Sequence, residues 1–338
     1  MGFIKLNKQA FYNNLDYYSH LLGGIDKVCI VLKDNAYGHG LEEISNLSYL
    51  YGVQHCMVRN LQEASIVSQY NFHTILILYD KPANNTYPSN YIFAVNSIEN
   101  LKTYPSGTCI ELKFDSGMSR NGIQFNQLDE AIDIIKQKQL KLYGVFTHFC
   151  CADENNDKTI SQESLFLDCV EQIKQIIPYN FRIHCANSAA VHKIDNNKYD
   201  IARIGIGIYG YCTLAKNKLQ PVLSLWGERI STRVLNSNDC IGYGATYHVE
   251  SDNFIVSNYD IGYGDGLFRV DETQKVFLPN KKQILGRISM DSFSIQGKEE
   301  CVCVFDDANY LAKIHNTVNY EILTHLSSYI KRYIKENI

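Results

Sequence analysis

Up to about residue 210 the chain repeats one pattern, a short apolar run followed by a stretch with helical spacing. The runs are "VCIVL" (28–32), "HCMV" (55–58), "TILILY" (74–79), "YIFAV" (91–95), "TCIELKF" (108–114), "LYGVFT" (142–147), "FRIHC" (181–185) and "IARI" (201–204). Their length and β-branched content suit buried strands. Helical patterns such as "NLQEASIVSQY", "NQLDEAIDIIKQKQ" and "SQESLFLDCVEQIKQII" separate most of them and are poorest after the third and seventh runs. Eight strands interleaved with helices predict a (β/α)8 barrel rather than an open sheet. From about residue 220 the texture changes to short strands punctuated by Gly, Asp and Asn, with little helix before the end. The fold class is therefore read as α/β, with an N-terminal (β/α)8 barrel over 1–218 and a C-terminal mostly-β domain over 219–338. The break falls in "KNKLQPVLS" (216–224), and the first few residues of the chain are available to pair with the β domain.

The ends of the runs carry polar residues. The first ends at Lys33 in "VLKDNAYGHG", and the fifth leads into "KFDSGMSRNG" with Arg120 on a glycine-rich loop. The sixth ends at His148, the seventh in "CANSAA" with Asn187 and Ser188, and the eighth in "RIGIGIYG" with Arg203. Each has a dull explanation: a rim lysine, a structural histidine, a helix cap, turn glycines. A barrel brings all five to one mouth, where (β/α) proteins place their chemistry. Ser188 at a helix start and the backbone N–H groups at Gly205–Ile206 form a phosphate cradle. Such a cradle opposite a desolvated strand-end lysine is what pyridoxal phosphate requires.

Composition narrows the class. The formal net charge is −4 with no long basic stretch, which argues against nucleic-acid binding. The 11 cysteines are scattered without C-x-x-C spacing, as reduced cytoplasmic thiols are, and suggest neither disulfides nor a metal site. No signal peptide or membrane span is read. "YIKRYIKENI" at the C-terminus reads as a solvated helix face or a frayed tail.

"VLKDNAYGHG", "KFDSGMSRNG", "GVFTHF", "CANSAA", "RIGIGIYG", "IGYGATY", "IGYGDG" and "GRISMD" resemble, in order, the motif series of the alanine racemases. The resemblance implies a fold-type III pyridoxal 5'-phosphate enzyme and an isomerase. It would interconvert L- and D-alanine by two bases and supply D-alanine for peptidoglycan. It also implies a cytoplasmic head-to-tail homodimer with shared active sites, a small amino-acid substrate and no membrane partner.

Carried over by position, Lys33 matches the Schiff-base lysine and first base, its amine kept neutral by burial. Tyr243 matches the second base, delivered by the partner subunit. Tyr37, Asn187, Ser188, Gly205, Ile206 and Tyr320 match phosphate-binding positions. His148 matches a residue packing on the pyridine ring, and Arg203 the residue facing the ring nitrogen. A guanidinium keeps its proton, so this nitrogen stays unprotonated and the electron sink weak, as suits a racemase better than a decarboxylase. Arg120 and Met290 match substrate-carboxylate contacts, Lys113 a lysine often carbamylated to orient Arg120, and Tyr263 and Asp291 the entrance. Without the resemblance, Tyr243 reads as a core or strand residue.

The chain departs from the family at Ile204, usually proline, at Gly264, usually alanine, and at Ser289, commonly cysteine. None removes a chemical group the reaction needs, though Gly264 loosens the entrance. The rival readings are a racemase of another amino acid such as serine, and a non-catalytic pyridoxal phosphate protein. The second fits residues 221–338 poorly.

Overall fold

The computed structural model describes residues 2–84, 86–270 and 274–336. They group into two compact units, one of residues 11–36 and 44–220, the other of 1–10, 37–43 and 221–338. The chain opens with strand β1 (Phe3–Asn7), which belongs to the second unit.

The first unit is built on β2 (Val28–Val31), β3 (His55–Val58), β4 (Thr74–Ile77), β5 (Tyr91–Val95), β6 (Cys109–Lys113), β7 (Lys141–Phe146), β8 (Arg182–His184) and β9 (Ala202–Ile204). These eight strands form one parallel sheet in the order β8-β7-β6-β5-β4-β3-β2-β9. Hydrogen bonds from Asp200 N to Ile183 O (3.0 Å) and from Arg203 N to Ala186 O (3.0 Å) join its two ends, so the expected barrel is what forms. Every residue of β2, β4 and β5 is buried, as a sheet covered on both faces requires. The helix Leu128–Gln137 buries Leu128, Ala131, Ile132, Ile134 and Ile135, an apolar stripe at helical spacing. Local caps start other helices: Asn60 Oδ1 accepts from Glu63 N at 2.9 Å, and Ser97 Oγ from Asn100 N at 3.2 Å. Where the helical pattern was poorest, after β4, no helix forms among the described residues, and after β8 only short 3-10 turns do.

The second unit centres on the long β10 (Leu223–Leu235). With β11 (Cys240–Ile241), β12 (Tyr247–His248), β13 (Phe254–Tyr259), β14 (Ile284–Leu285), β15 (Phe293–Gln296), β16 (Cys301–Phe305) and β17 (Lys331–Lys335), it makes the expected mostly-β region. The larger sheet runs β14-β15-β13-β10-β1-β17, with β16 also on β10, while β11 and β12 form a separate hairpin. Residues 1–10 join this unit because β1 is hydrogen-bonded between β10 and β17. In the C-terminal stretch read as a helix face or frayed tail, residues 331–335 instead form strand β17, parallel to β1. The free edge of β1 supplies its hydrogen-bond partners, and Phe3 meets Tyr333 edge-on at 5.8 Å. All 11 cysteines are free thiols. No helix among the described residues is long and apolar enough to cross a membrane.

The backbone after Lys33 turns left-handed for four residues, with φ of 55° at Asp34, 55° at Asn35, 52° at Ala36 and 52° at Tyr37. Each non-glycine residue there costs roughly 1–2 kcal/mol, so the turn persists only because its surroundings impose it. Asn35, half-buried, tolerates the region best and gives its N–H to Glu63 Oε1 at 3.2 Å, a bond any residue retains. Asn35→Gly should therefore leave the melting temperature unchanged or raise it, while Asn35→Val should cost about 2 kcal/mol or more. Equal melting temperatures for the Gly and Val variants would show that the turn is not under strain.

Candidate active site

The barrel unit gathers its polar strand-end residues at the C-terminal end of the parallel sheet. Lys33 lies two residues beyond β2, Lys113 is the last residue of β6, and His148 lies two residues beyond β7. Asn187 and Ser188 follow β8, and Arg203, within β9, is followed by Gly205 and Ile206.

Arg203 is buried and its guanidinium is surrounded by acceptors. Nη1 lies 2.7 Å from His184 Nδ1, and Nη2 donates to Thr147 O at 2.7 Å and to Cys185 O at 3.2 Å, with His148 Nδ1 at 3.3 Å. Ser188 Oγ accepts from Gly205 N (3.1 Å) and Gly207 N (3.2 Å), which locks the loop after β9 onto the loop after β8. A side chain at Gly207 would collide with the hydroxyl of Tyr18, which itself donates to Ser188 O at 3.2 Å. Asn187 Oδ1 accepts from Ala189 N (3.0 Å) and Ala190 N (2.9 Å), pinning a 3-10 turn where a helix start was expected.

Lys33 is half-buried rather than desolvated, with 31% of its side chain exposed and Nζ 3.7 Å from Asp34 Oδ2. The more deeply buried lysine is Lys113. Burial, then the charges of Arg120 and Arg203, lower its amine to about 8. Arg120 is exposed, on a loop stitched by Asp115 Oδ1, which accepts from the backbone of Gly117, Met118 and Ser119 at 3.0 Å each.

The strand-rich unit holds the remaining candidates. Tyr37 and Tyr320 have ring centroids 5.8 Å apart. Tyr243 is neither core nor strand: it is 68% exposed, on the 3-10 turn Tyr243–Ala245 between β11 and β12. Arg287 lies against this turn, its Nη1 2.9 Å from where a Cβ on Gly244 would stand. Tyr263 and Met290, both exposed, are tied together by Tyr263 N to Ser289 O (3.1 Å) and Gly264 N to Met290 O (2.8 Å), with exposed Asp291 next in the chain. A Cβ at Gly264 would stand 3.1 Å from Met290 O and 3.3 Å from Met290 Cγ, a tight fit that glycine avoids. Glu111, Arg182, His184 and Arg287 escaped the sequence reading. The first three had a signal, since they are charged or titratable residues inside otherwise apolar strand runs.

The donor set fits pyridoxal phosphate. It offers an amine for the aldehyde, a hydroxyl and glycine-lined backbone for a dianionic phosphate, and a cation without a carboxylate for the ring nitrogen. These features define a barrel whose strand ends suit pyridoxal phosphate.

Comparisons with known proteins name the family. Residues 6–213 match "Alanine racemase, N-terminal domain" and 222–334 "Alanine racemase, C-terminal domain". The alanine racemase of Campylobacter curvus is 40% identical over 98% of this chain and 99% of its own, and that of Nitratiruptor is 36% identical over the same shares. The alanine racemase structure from Clostridium difficile superposes with a TM-score of 0.88 at 26% identity, covering 99% of this chain and 96% of that one. A Bartonella henselae alanine racemase with covalently bound pyridoxal phosphate shares the fold, with a TM-score of 0.81 at 20% identity over 99% of both chains. The chain belongs to the alanine racemase family. It is an amino-acid racemase that interconverts L- and D-alanine with pyridoxal phosphate as cofactor.

Burial also sets the acid stability. It drives His148 down to about 3, helped by Arg203, and His184 to about 4. It takes His55 to about 4, helped by Arg182. An unfolded histidine titrates near ~6.5. Between pH ~6.5 and ~4 the unfolded chain therefore binds more protons, and stability falls as the pH falls, by roughly 1.4 kcal/mol per pH unit for each such histidine. Urea unfolding across this window should show that slope, and His55→Gln should reduce it by about one proton. A flat profile would mean that these rings are already charged in the folded protein.

Proposed function

We propose that the residues divide the racemisation as follows. Lys33 holds the cofactor covalently and is the base on one face of the substrate. Tyr243, from the second subunit of a homodimer, is the base on the other. Tyr37, Asn187, Ser188, Gly205, Ile206 and Tyr320 hold the phosphate, His148 packs on the ring, and Arg120 and Met290 receive the substrate carboxylate. Lys113, as a carbamate, orients Arg120, while Tyr263 and Asp291 line the entrance. The barrel domain, 1–218 with its first strand given to the β domain, binds the cofactor, and 219–338 completes the site. The enzyme acts in the cytoplasm and supplies D-alanine for peptidoglycan.

One observation carries this reading: a buried guanidinium, and no carboxylate, stands among the cofactor-binding positions, fixed by His184, Thr147 and Cys185. When bound, pyridoxal phosphate withdraws electrons from the substrate Cα and acidifies its proton. Arg203 does not surrender its own proton to the ring, which keeps that withdrawal weak. A weak sink favours prompt return of the proton over loss of another group. Exposure of Tyr243, Met290, Tyr263 and Tyr320 supports a site completed by a second chain, since large side chains are otherwise left in solvent.

Borohydride reduction of the holoenzyme should fix the cofactor to the peptide containing Lys33, and label on any other lysine would overturn that assignment. Lys33→Ala and Tyr243→Phe should each be nearly inactive alone. Co-expressed with random pairing, about half the dimers are mixed, each with one intact site, so activity should return to about a quarter of wild type. Verified heterodimers without any recovery would rule out a shared site.

A further inference from the structure

A barrel interior is ordinarily filled by branched apolar side chains. Here Glu111 on β6 and Arg182 and His184 on β8 occupy it, none more than 9% exposed. Glu111 divides its two oxygens between the other residues. Oε1 accepts from Arg182 Nε at 2.9 Å and from Arg182 Nη2, and Oε2 lies 2.9 Å from His184 Nε2. The other ring nitrogen, His184 Nδ1, lies 2.7 Å from Arg203 Nη1.

These contacts leave one consistent arrangement of protons. A guanidinium only donates, so His184 Nδ1 must accept and the ring proton must sit on Nε2. Nε2–H then needs an acceptor, and Glu111 Oε2 provides it. Burial opposes a charge on Glu111, but Arg182 and His184 outweigh it and hold the carboxyl at about 2. The backbone is shaped for the contact. The register shifts between Ile110 and Glu111, and opposite stands Gly144, whose Cβ would lie 2.9 Å from Glu111 Oε1. Phe146 stacks on His184 with centroids 5.0 Å apart and fixes the plane of the imidazole.

We propose that Glu111 is a positioning residue for racemisation: acting through His184, it fixes the tautomer that holds the Arg203 guanidinium in place. The proposal rests on the reading that Arg203 faces the cofactor ring. Arg182 has the supporting part. It occupies the carboxylate oxygen that His184 does not use and also donates to Thr74 Oγ1 at 3.1 Å.

Glu111→Gln separates this from general packing, because an amide has one acceptor oxygen where a carboxylate has two. The Arg182 donors claim that oxygen, leaving the NH2 group to face His184 Nε2. Nε2 must then accept, which moves the ring proton to Nδ1 against the donors of Arg203.

The experiment is nitrogen NMR of the holoenzyme labelled with 15N-histidine, the His184 resonances being assigned by their loss in His184→Gln. Wild type should show Nε2 protonated and Nδ1 bare. Glu111→Gln should invert the tautomer, shift the cofactor absorption band and lower kcat roughly 10–100-fold, with a smaller change in KM. The double variant Glu111→Leu/Arg182→Met, which buries no unpaired charge, should keep Nε2 protonated, because Arg203 still donates to Nδ1. It should also lose less kcat than Glu111→Gln; an equal loss would show that Glu111 supplies packing and would overturn the proposal. A wild-type spectrum with Nδ1 protonated would overturn the proposal whatever the variants do. So would Glu111→Gln with unchanged tautomer, absorption and kcat. An inverted tautomer with unchanged absorption and kcat also overturns it, and an Arg203→Lys enzyme of unchanged absorption then traces the fault to the ring-facing reading.

Discussion

A guanidinium buried inside a protein is tolerated only when its N–H groups find acceptors, and Arg203 sets that condition for the barrel. The carbonyls of Thr147 and Cys185 reach it from the ends of β7 and β8, and His184 supplies the third acceptor. Three consecutive strands are thereby held in one arrangement at their C-terminal ends. The backbone N–H of the same residue closes the barrel onto Ala186 O at 3.0 Å. A single residue thus links the closure of the sheet to the charge of the site. Glu111 and Arg182 form a second, complementary pair one step deeper, which offsets the cost of burying further charge among apolar strands.

The strand-rich unit solves a different problem, presenting large side chains to the outside on short, rigid supports. Tyr243 stands on a turn with φ of 78° at Gly242, 73° at Gly244 and 51° at Ala245, backed by Arg287. The Tyr263 and Met290 loops are joined backbone to backbone, and a side chain at Gly262 would collide with Met290 O, so glycine is required for that approach. Tyr37 joins this unit because Gly38 O accepts from Arg332 Nε at 3.2 Å and Nη2 at 2.9 Å. The backbone that carries each exposed side chain is thereby held in place, which limits the conformational entropy that binding there would cost.

Much of this was legible in the sequence, for reasons that can be named. The alternation of runs gave the barrel, because each strand covered on both faces must be continuously apolar. Lys33, His148, Asn187, Ser188 and Arg203 stood out as polar residues ending such runs. Glu111 did not, although it lies inside "IELKF", because a charge within a strand reads as an outward-facing residue until its neighbours are known. Lys33 was expected to be desolvated, but Asp34 folds back beside it through a left-handed turn that no local propensity predicts. Within the C-terminal "YIKRYIKENI", residues 331–335 have too little contrast between faces to announce a strand, and pairing with β1 makes them one.

By itself the sequence determined the periodicities, the order of the motifs and the kinds of chemical group available, since these depend only on neighbours along the chain. The tertiary structure decided what each group's charge and proton mean. The Lys113 amine is lowered because burial strips its water and the charges of Arg120 and Arg203 add to that, and His184 receives a defined tautomer because Glu111 and Arg203 flank its two nitrogens. Those partners lie 73 and 19 residues away along the chain. Desolvation and hydrogen-bond direction are properties of surroundings, and only closure of the barrel creates them.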